Sequence, residues 1–358
     1  MQAERNGVSA LRCFLPVGPD RRPRPTLVNS LTHTPGLKTV LETAGGVDPR
    51  RPVPKFARRR FTATWRDRPP AASSGDRGRV VLWPDTFTNN FDPHIADAAV
   101  AVLEAAGFTV EVPTQTLCCG LTWISTGQLA TASRVLTRTL AVLAPALRAG
   151  TPIVVLEPSC AAVFRSDLSE LLHGNEDAHR LAQQTVTLGE LPQQRAPDWS
   201  PPHRVDAAAL IQPHCHQHAV LTYDADEQAL KKAGVDTEVL DAGFCGLAGN
   251  FGFERGHYEV SLACAEDTLL PAIRAADPAT LVLADGFSCR TQIRDLHPAA
   301  TPLHGAQVLA AALRGDDPTD RRTGRKSLRP VVPSRTALLT APAAVALSLL
   351  IRRRRYHH

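Results

Sequence analysis

The pattern of apolar and polar positions divides this chain sharply. Residues 1–79 scatter apolar side chains among Pro and Arg, and the run at residues 66–75 reads as a linker, so this segment is not expected to supply a core. A short helix over residues 37–43 is predicted within it. At Val80 the pattern becomes that of a buried strand, Val80-Val81-Leu82-Trp83-Pro84, and residues 95–103 then have helical periodicity closed by Gly107.

The same order of patterns returns later in the chain. The strand at Val80, the helix end at Leu103-Glu104-Ala105-Ala106-Gly107, the loop Leu117-Cys118-Cys119-Gly120-Leu121 and the strand end Pro158-Ser159-Cys160 have counterparts. These are the strand Ala209-Leu210-Ile211-Gln212-Pro213, Leu230-Lys231-Lys232-Ala233-Gly234, Gly243-Phe244-Cys245-Gly246-Leu247 and Phe287-Ser288-Cys289. The offsets are 129 (Pro84 to Pro213), 127 (Gly107 to Gly234), 126 (Cys119 to Cys245) and 129 (Cys160 to Cys289). Four anchors agreeing this closely mark an internal repeat. The alternation of strand, helix and cysteine loop predicts an α/β fold of two pseudo-repeated, open, mainly parallel units, with the Cys loops at the carboxyl ends of the strands. The expected organisation is a basic segment at 1–79, a first unit at 80–200, a second at 201–313 and a basic tail at 314–358. The Cys loops of the two units are expected to face one cleft.

Length and hydrophobic content, 358 residues and 43%, allow two ordinary cores. Charge changes the picture more. Residues 1–80 carry 16 Lys and Arg against 6 Asp and Glu, and residues 314–358 carry 11 against 3, so the net +5 of the chain hides a body of −13. An acidic body with basic flanks argues against nucleic-acid binding. No basic start followed by an apolar run opens the chain, which suggests a cytoplasmic protein with reduced thiols, whose paired cysteines then serve as metal or cluster ligands.

Six of the eight cysteines fall at repeat loop ends: Cys118, Cys119, Cys160, Cys215, Cys245 and Cys289. Thiolates gathered from separate loop ends suit an iron–sulfur cluster or, as the alternative, zinc. His216 is a candidate further ligand, with His214 and His218 beside it. Cys13 and Cys264 have no repeat partner and read as buried hydrophobes.

The segments Leu117-Cys118-Cys119-Gly120-Leu121 and Cys245-Gly246-Leu247-Ala248-Gly249 resemble the cysteine-rich CCG domain. This domain occurs in subunits of heterodisulfide reductase and of anaerobic glycerol-3-phosphate dehydrogenase, in the iron–sulfur subunit of glycolate oxidase, and in FAD-linked oxidases of the D-lactate or glycolate dehydrogenase type. The resemblance, over about residues 22–313, implies the electron-transfer part of a flavin-dependent 2-hydroxyacid oxidoreductase. Electrons would pass from a flavoprotein partner, through iron–sulfur clusters, towards a quinone or soluble carrier, with FAD on a separate or partner domain. Several positions depart from the family pattern. Thr86 stands opposite Cys215, Phe244 replaces the first cysteine of the second pair, and Val163 and Gln292 stand where a further cysteine would follow Cys160 and Cys289. The first unit, with its pair intact, is expected to be the better site, and Phe244 is expected to turn from the sulfurs into apolar packing. Two other readings remain: a zinc-stabilised docking module for a separate flavoprotein, and a non-functional gene fragment.

The apolar stretch at residues 337–351, followed by four Arg, would rise only about 22 Å as a helix, short of the roughly 30 Å needed to span a bilayer. It reads as a surface tail, with peripheral association at the inner face of the membrane as its functional alternative.

Overall fold

The computed structural model describes residues 25–34, 36, 42, 45–68 and 75–319. Of the helix expected over residues 37–43 only residue 42 is described, and Cys13 and the apolar stretch of the tail lie outside the described residues. No helix among the described residues is long and apolar enough to cross a membrane.

Two all-parallel sheets carry the fold. The first joins β1 (Arg79–Leu82), β2 (Thr109–Glu111), β3 (Ile153–Val154) and β4 (Thr185–Val186) in the order β2-β1-β3-β4. The second joins β5 (Ala207–Ile211), β6 (Val235–Val239) and β7 (Leu281–Leu283) in the order β6-β5-β7. The repeat offsets reappear as pairing register. Val81 pairs with Ile153 and Leu82 with Val154, and the residues 129 further on, Leu210 with Val282 and Ile211 with Leu283, pair in the same way. Val80 with Val110 likewise maps onto Ala209 with Thr237 through the offsets 129 and 127. A single parallel bridge, Leu283 to Leu303, stands where the first sheet has β4.

Strand alternation sorts side chains onto the two sheet faces. Val80 and Leu82 join one core with Ile95, Val100 and Leu103 of the helix Pro93–Ala105, whereas Val81 and Trp83 join another with Leu136, Leu140 and Leu143 of the helix Leu129–Arg148. In the second sheet Ala209 and Ile211 face one cluster and Leu210 the other. The final helix, Gly305–Arg314, buries Ala306, Leu309 and Ala310 in the core of the first sheet, so the two units share a core.

The amino-terminal segment differs from what its composition suggested. Phe61 is buried in the core of the first unit, and Arg51 is wholly buried against the second. Arg51 is tolerated there because its guanidinium donates to Gly252 O (2.8 Å), Gln292 Oε1 (2.7 Å) and Ser261 Oγ (2.6 Å). Burial lowers its pKa. Backbone pairing of Asp48 N with Phe253 O holds the segment in place.

Candidate metal centre

Each Cys loop follows a strand and opens a helix. In the first unit Cys118 and Cys119 precede the helix Leu121–Ser125, with Gly120 at φ +84 making the turn, while Cys160 lies in the helix Pro158–Arg165 that starts just beyond β3. The left-handed turn lets main-chain N–H groups approach sulfur: Gly120 N–H donates to Cys118 Sγ at 3.4 Å. Cys160 Sγ lies 3.0 Å from Cys119 Sγ, and both side chains are buried. The sequence-predicted trio Cys118, Cys119 and Cys160 is therefore assembled across 41 residues of chain.

All three thiols are raised. At Cys118 the bond with Cys119 and burial act together. At Cys119 the bond with Cys118 pulls down, but the bond with Cys160 and burial outweigh it. Cys160, lowered by its bond with Cys119, is nonetheless pushed up to about 11 by burial and by Asp85 and Glu157. These sulfurs remain protonated at neutral pH unless a cation replaces the protons.

The second unit is built on the same plan with other donors. Cys245 hydrogen-bonds Cys289 and receives main-chain N–H groups of Leu247 and Ala248, and the bond with Cys289 leads the lowering of its pKa. The same contact raises Cys289, whose surroundings include Cys215 and Glu157. Gly246, at φ +92, makes the turn, and a Cβ there would lie 2.1 Å from Ser261 O. Gln292, where a further cysteine was sought, binds Arg51 and Ser261 instead. Phe244 is half-buried and joins none of the core clusters among the described residues, contrary to the expectation of apolar packing.

His214, Cys215 and His216 bring their donor atoms within 4.8 Å of one another. Cys215 Sγ is 3.7 Å from His214 Nδ1, and the two imidazoles lie 5.0 Å apart. Burial and the neighbouring His216 push His214 down to about 3. His218 is exposed and outside this group. Cys264 is half-buried on the helix Tyr258–Asp267.

Sequence reasoning missed two acids beside these loops, one of which joins them. Glu157 Oε2 accepts from Phe287 N (2.9 Å) and Glu157 Oε1 from Ser159 Oγ (2.9 Å), linking the helix starts that carry Cys160 and Cys289. Its carboxyl is raised to about 7 by burial and then by Asp85. Asp85, itself raised by burial, caps the helix Thr86–Asn90 by accepting from Phe87 N and Thr88 N. The repeat held the signal: Asp85 aligns with His214 and Glu157 with Gly286, so both positions change chemistry between units.

The donor set fits a thiolate-bound group: soft sulfurs converge from separate loops, and N–H groups aimed at sulfur are the contacts that support a ligating thiolate. Residues 86–165 match the model of the CCG cysteine-rich domain. The chain is also 24% identical, over 291 residues covering 80% of it and 72% of the relative, to the subunit designated C of the anaerobic glycerol-3-phosphate dehydrogenase of Escherichia coli K12, and equally to that of Escherichia coli O157:H7. Residues 86–165 are a cysteine-rich domain of the CCG family, within a chain distantly homologous to this glycerol-3-phosphate dehydrogenase subunit.

Proposed function

We propose that this chain is the iron–sulfur electron-transfer component of a flavin-linked dehydrogenase complex, receiving electrons from a flavoprotein that oxidises a 2-hydroxy acid of the D-lactate or glycolate type. The observation that carries the reading is the buried contact of Cys119 with Cys160 beside Cys118, at the strand ends of a CCG domain. In this reading Cys118, Cys119 and Cys160 hold an iron–sulfur cluster, and Cys245 and Cys289 form a second thiolate pair beside Cys215. A bound cluster would supply one-electron storage. The protein's own contribution is to exclude water around the sulfurs, to aim Gly120 N–H at Cys118, and to hold a proton on Glu157 between the two loops. The basic tail would bring the complex to the inner face of the membrane.

The test is the iron and acid-labile sulfide content of the full chain purified without oxygen. Both elements, with an absorbance that dithionite bleaches, are expected, and Cys119→Ser or Cys160→Ser should remove them. A colourless wild-type protein that takes up no iron on reconstitution would overturn the reading.

A further inference from the structure

We propose that the turn His214–Cys215–His216 is a mononuclear site for a divalent transition ion of the zinc type, held by two imidazoles and one thiolate. The inference deepens the reading above, needing from it only that the Cys loops are metal sites, and it assigns the second unit a different metal chemistry from the first.

Four observations carry it. The three donors already lie within 4.8 Å of one another, so small rotations close a coordination shell. Among the described residues, His216 Nδ1 is buried and has no hydrogen-bond partner, a lone pair or proton left unused beside the other two donors. The turn is held mainly by groups other than the His216 side chain: Gln217 Oε1 accepts from His214 N, His214 Nδ1 accepts from His216 N at 3.2 Å, and main-chain bonds run from Gln217 N and His218 N to His214 O. Finally, Gly286 makes the room: a Cβ there would lie 2.3 Å from His214 Cδ2. In the first unit Asp85, Thr86 and Phe87 stand opposite this turn and Glu157 opposite Gly286, and Asp85 caps a helix.

The remaining sulfurs of the second unit favour the same conclusion. Cys245 and Cys289 bond each other, and Phe244 offers no lone pair where the first unit has Cys118. A mixed imidazole and thiolate set selects zinc-type ions over an all-sulfur cluster. Cys215 and His216 are half-buried, so solvent can fill the fourth position. Binding breaks the Cys215 S–H bond, forms the sulfur–metal bond and releases the proton to solvent, with no change of oxidation state.

The test uses the full chain, purified anaerobically and stripped with a chelator, titrated with cobalt(II) and then zinc(II). One equivalent of cobalt should give the visible bands of a tetrahedral ion and a sulfur-to-cobalt charge-transfer band, with proton release, and zinc should displace it. Cys215→Ser should abolish the charge-transfer band. His216→Gln should weaken binding at least about tenfold, whereas His218→Gln and Cys160→Ser should leave this band in place. Circular dichroism checks that each variant is folded. Unchanged cobalt binding in folded His216→Gln or Cys215→Ser would overturn the proposal, as would loss of the band only when Cys245 or Cys289 is replaced. Iron and sulfide measured on the same samples report separately on the first unit, so the two readings fail independently.

Discussion

The two units share strand order, register and the placement of their cysteine loops, yet differ at polar positions around those loops: Asp85 against His214, Thr86 against Cys215 and Glu157 against Gly286. The first gathers sulfur, with Cys118, Cys119 and Cys160 beside the acids Asp85 and Glu157. The second gathers nitrogen with its sulfur, at His214, Cys215 and His216, and places a glycine where the first has Glu157. A duplicated backbone thus fixes where donors sit, and single side chains at matching positions decide which metal chemistry they suit.

The largest expected effect breaks the comparison at the support of the second unit. Arg51→Met leaves Gly252 O, Ser261 Oγ and Gln292 Oε1 without their donor in a buried site. Stability in urea is expected to fall by about 3 kcal/mol or more, and the second unit should lose its hydrogen-exchange protection before the first. Equal loss of protection in both units would mean that Arg51 supports the shared core instead.

Glu157 sharpens the comparison through pH. Its pKa of about 7 in the folded protein exceeds its ordinary 4.5, so the protonated acid is the form the fold favours. Its stabilising contribution is complete below about pH 4.5, falls as pH rises, and is gone above about pH 7, amounting to about 3 kcal/mol. Urea midpoints measured between about pH 5 and pH 8 should decline with pH, and Glu157→Gln should flatten that decline. Asp226, also raised to about 7 by burial and Asp285, will keep part of the slope.

Smaller effects follow at the second Cys loop. Gly246→Ala forces a side chain into a left-handed turn against Ser261 O and should cost about 2 kcal/mol, read as a lower melting temperature. Phe244→Cys is expected to change stability by less than about 1 kcal/mol, because the ring lies outside the core clusters. Bound iron per chain should nevertheless rise, since the pair of the first unit is restored. Unchanged iron in a folded variant would show that the missing thiol is not what separates the two sites.

Sequence spacing was enough to place Cys119 with Cys160 and Cys245 with Cys289, because a repeat of strands and helices carries its loops to equivalent strand ends. It also exposed Phe244, Thr86 and Gln292 as departures. Composition misjudged residues 45–68, since an Arg-rich segment can enter a core when fixed acceptors await it, and the acceptors Gly252 O and Gln292 Oε1 lie 201 and 241 residues from Arg51 in sequence.

By itself, then, the sequence determined what depends on local pattern: strand and helix periodicity, the 129-residue register of the sheets, and the loop ends where cysteines collect. Tertiary structure decided what depends on side chains meeting from distant parts of the chain. Glu157 reaching Phe287 N, Arg51 entering beside Gln292 and Gly286 admitting the His214 ring are contacts between residues with no fixed spacing. Periodicity encodes which face a residue occupies, whereas the packing of two sheets and their shared core sets which faces touch, and that packing chose the donors around each cysteine loop.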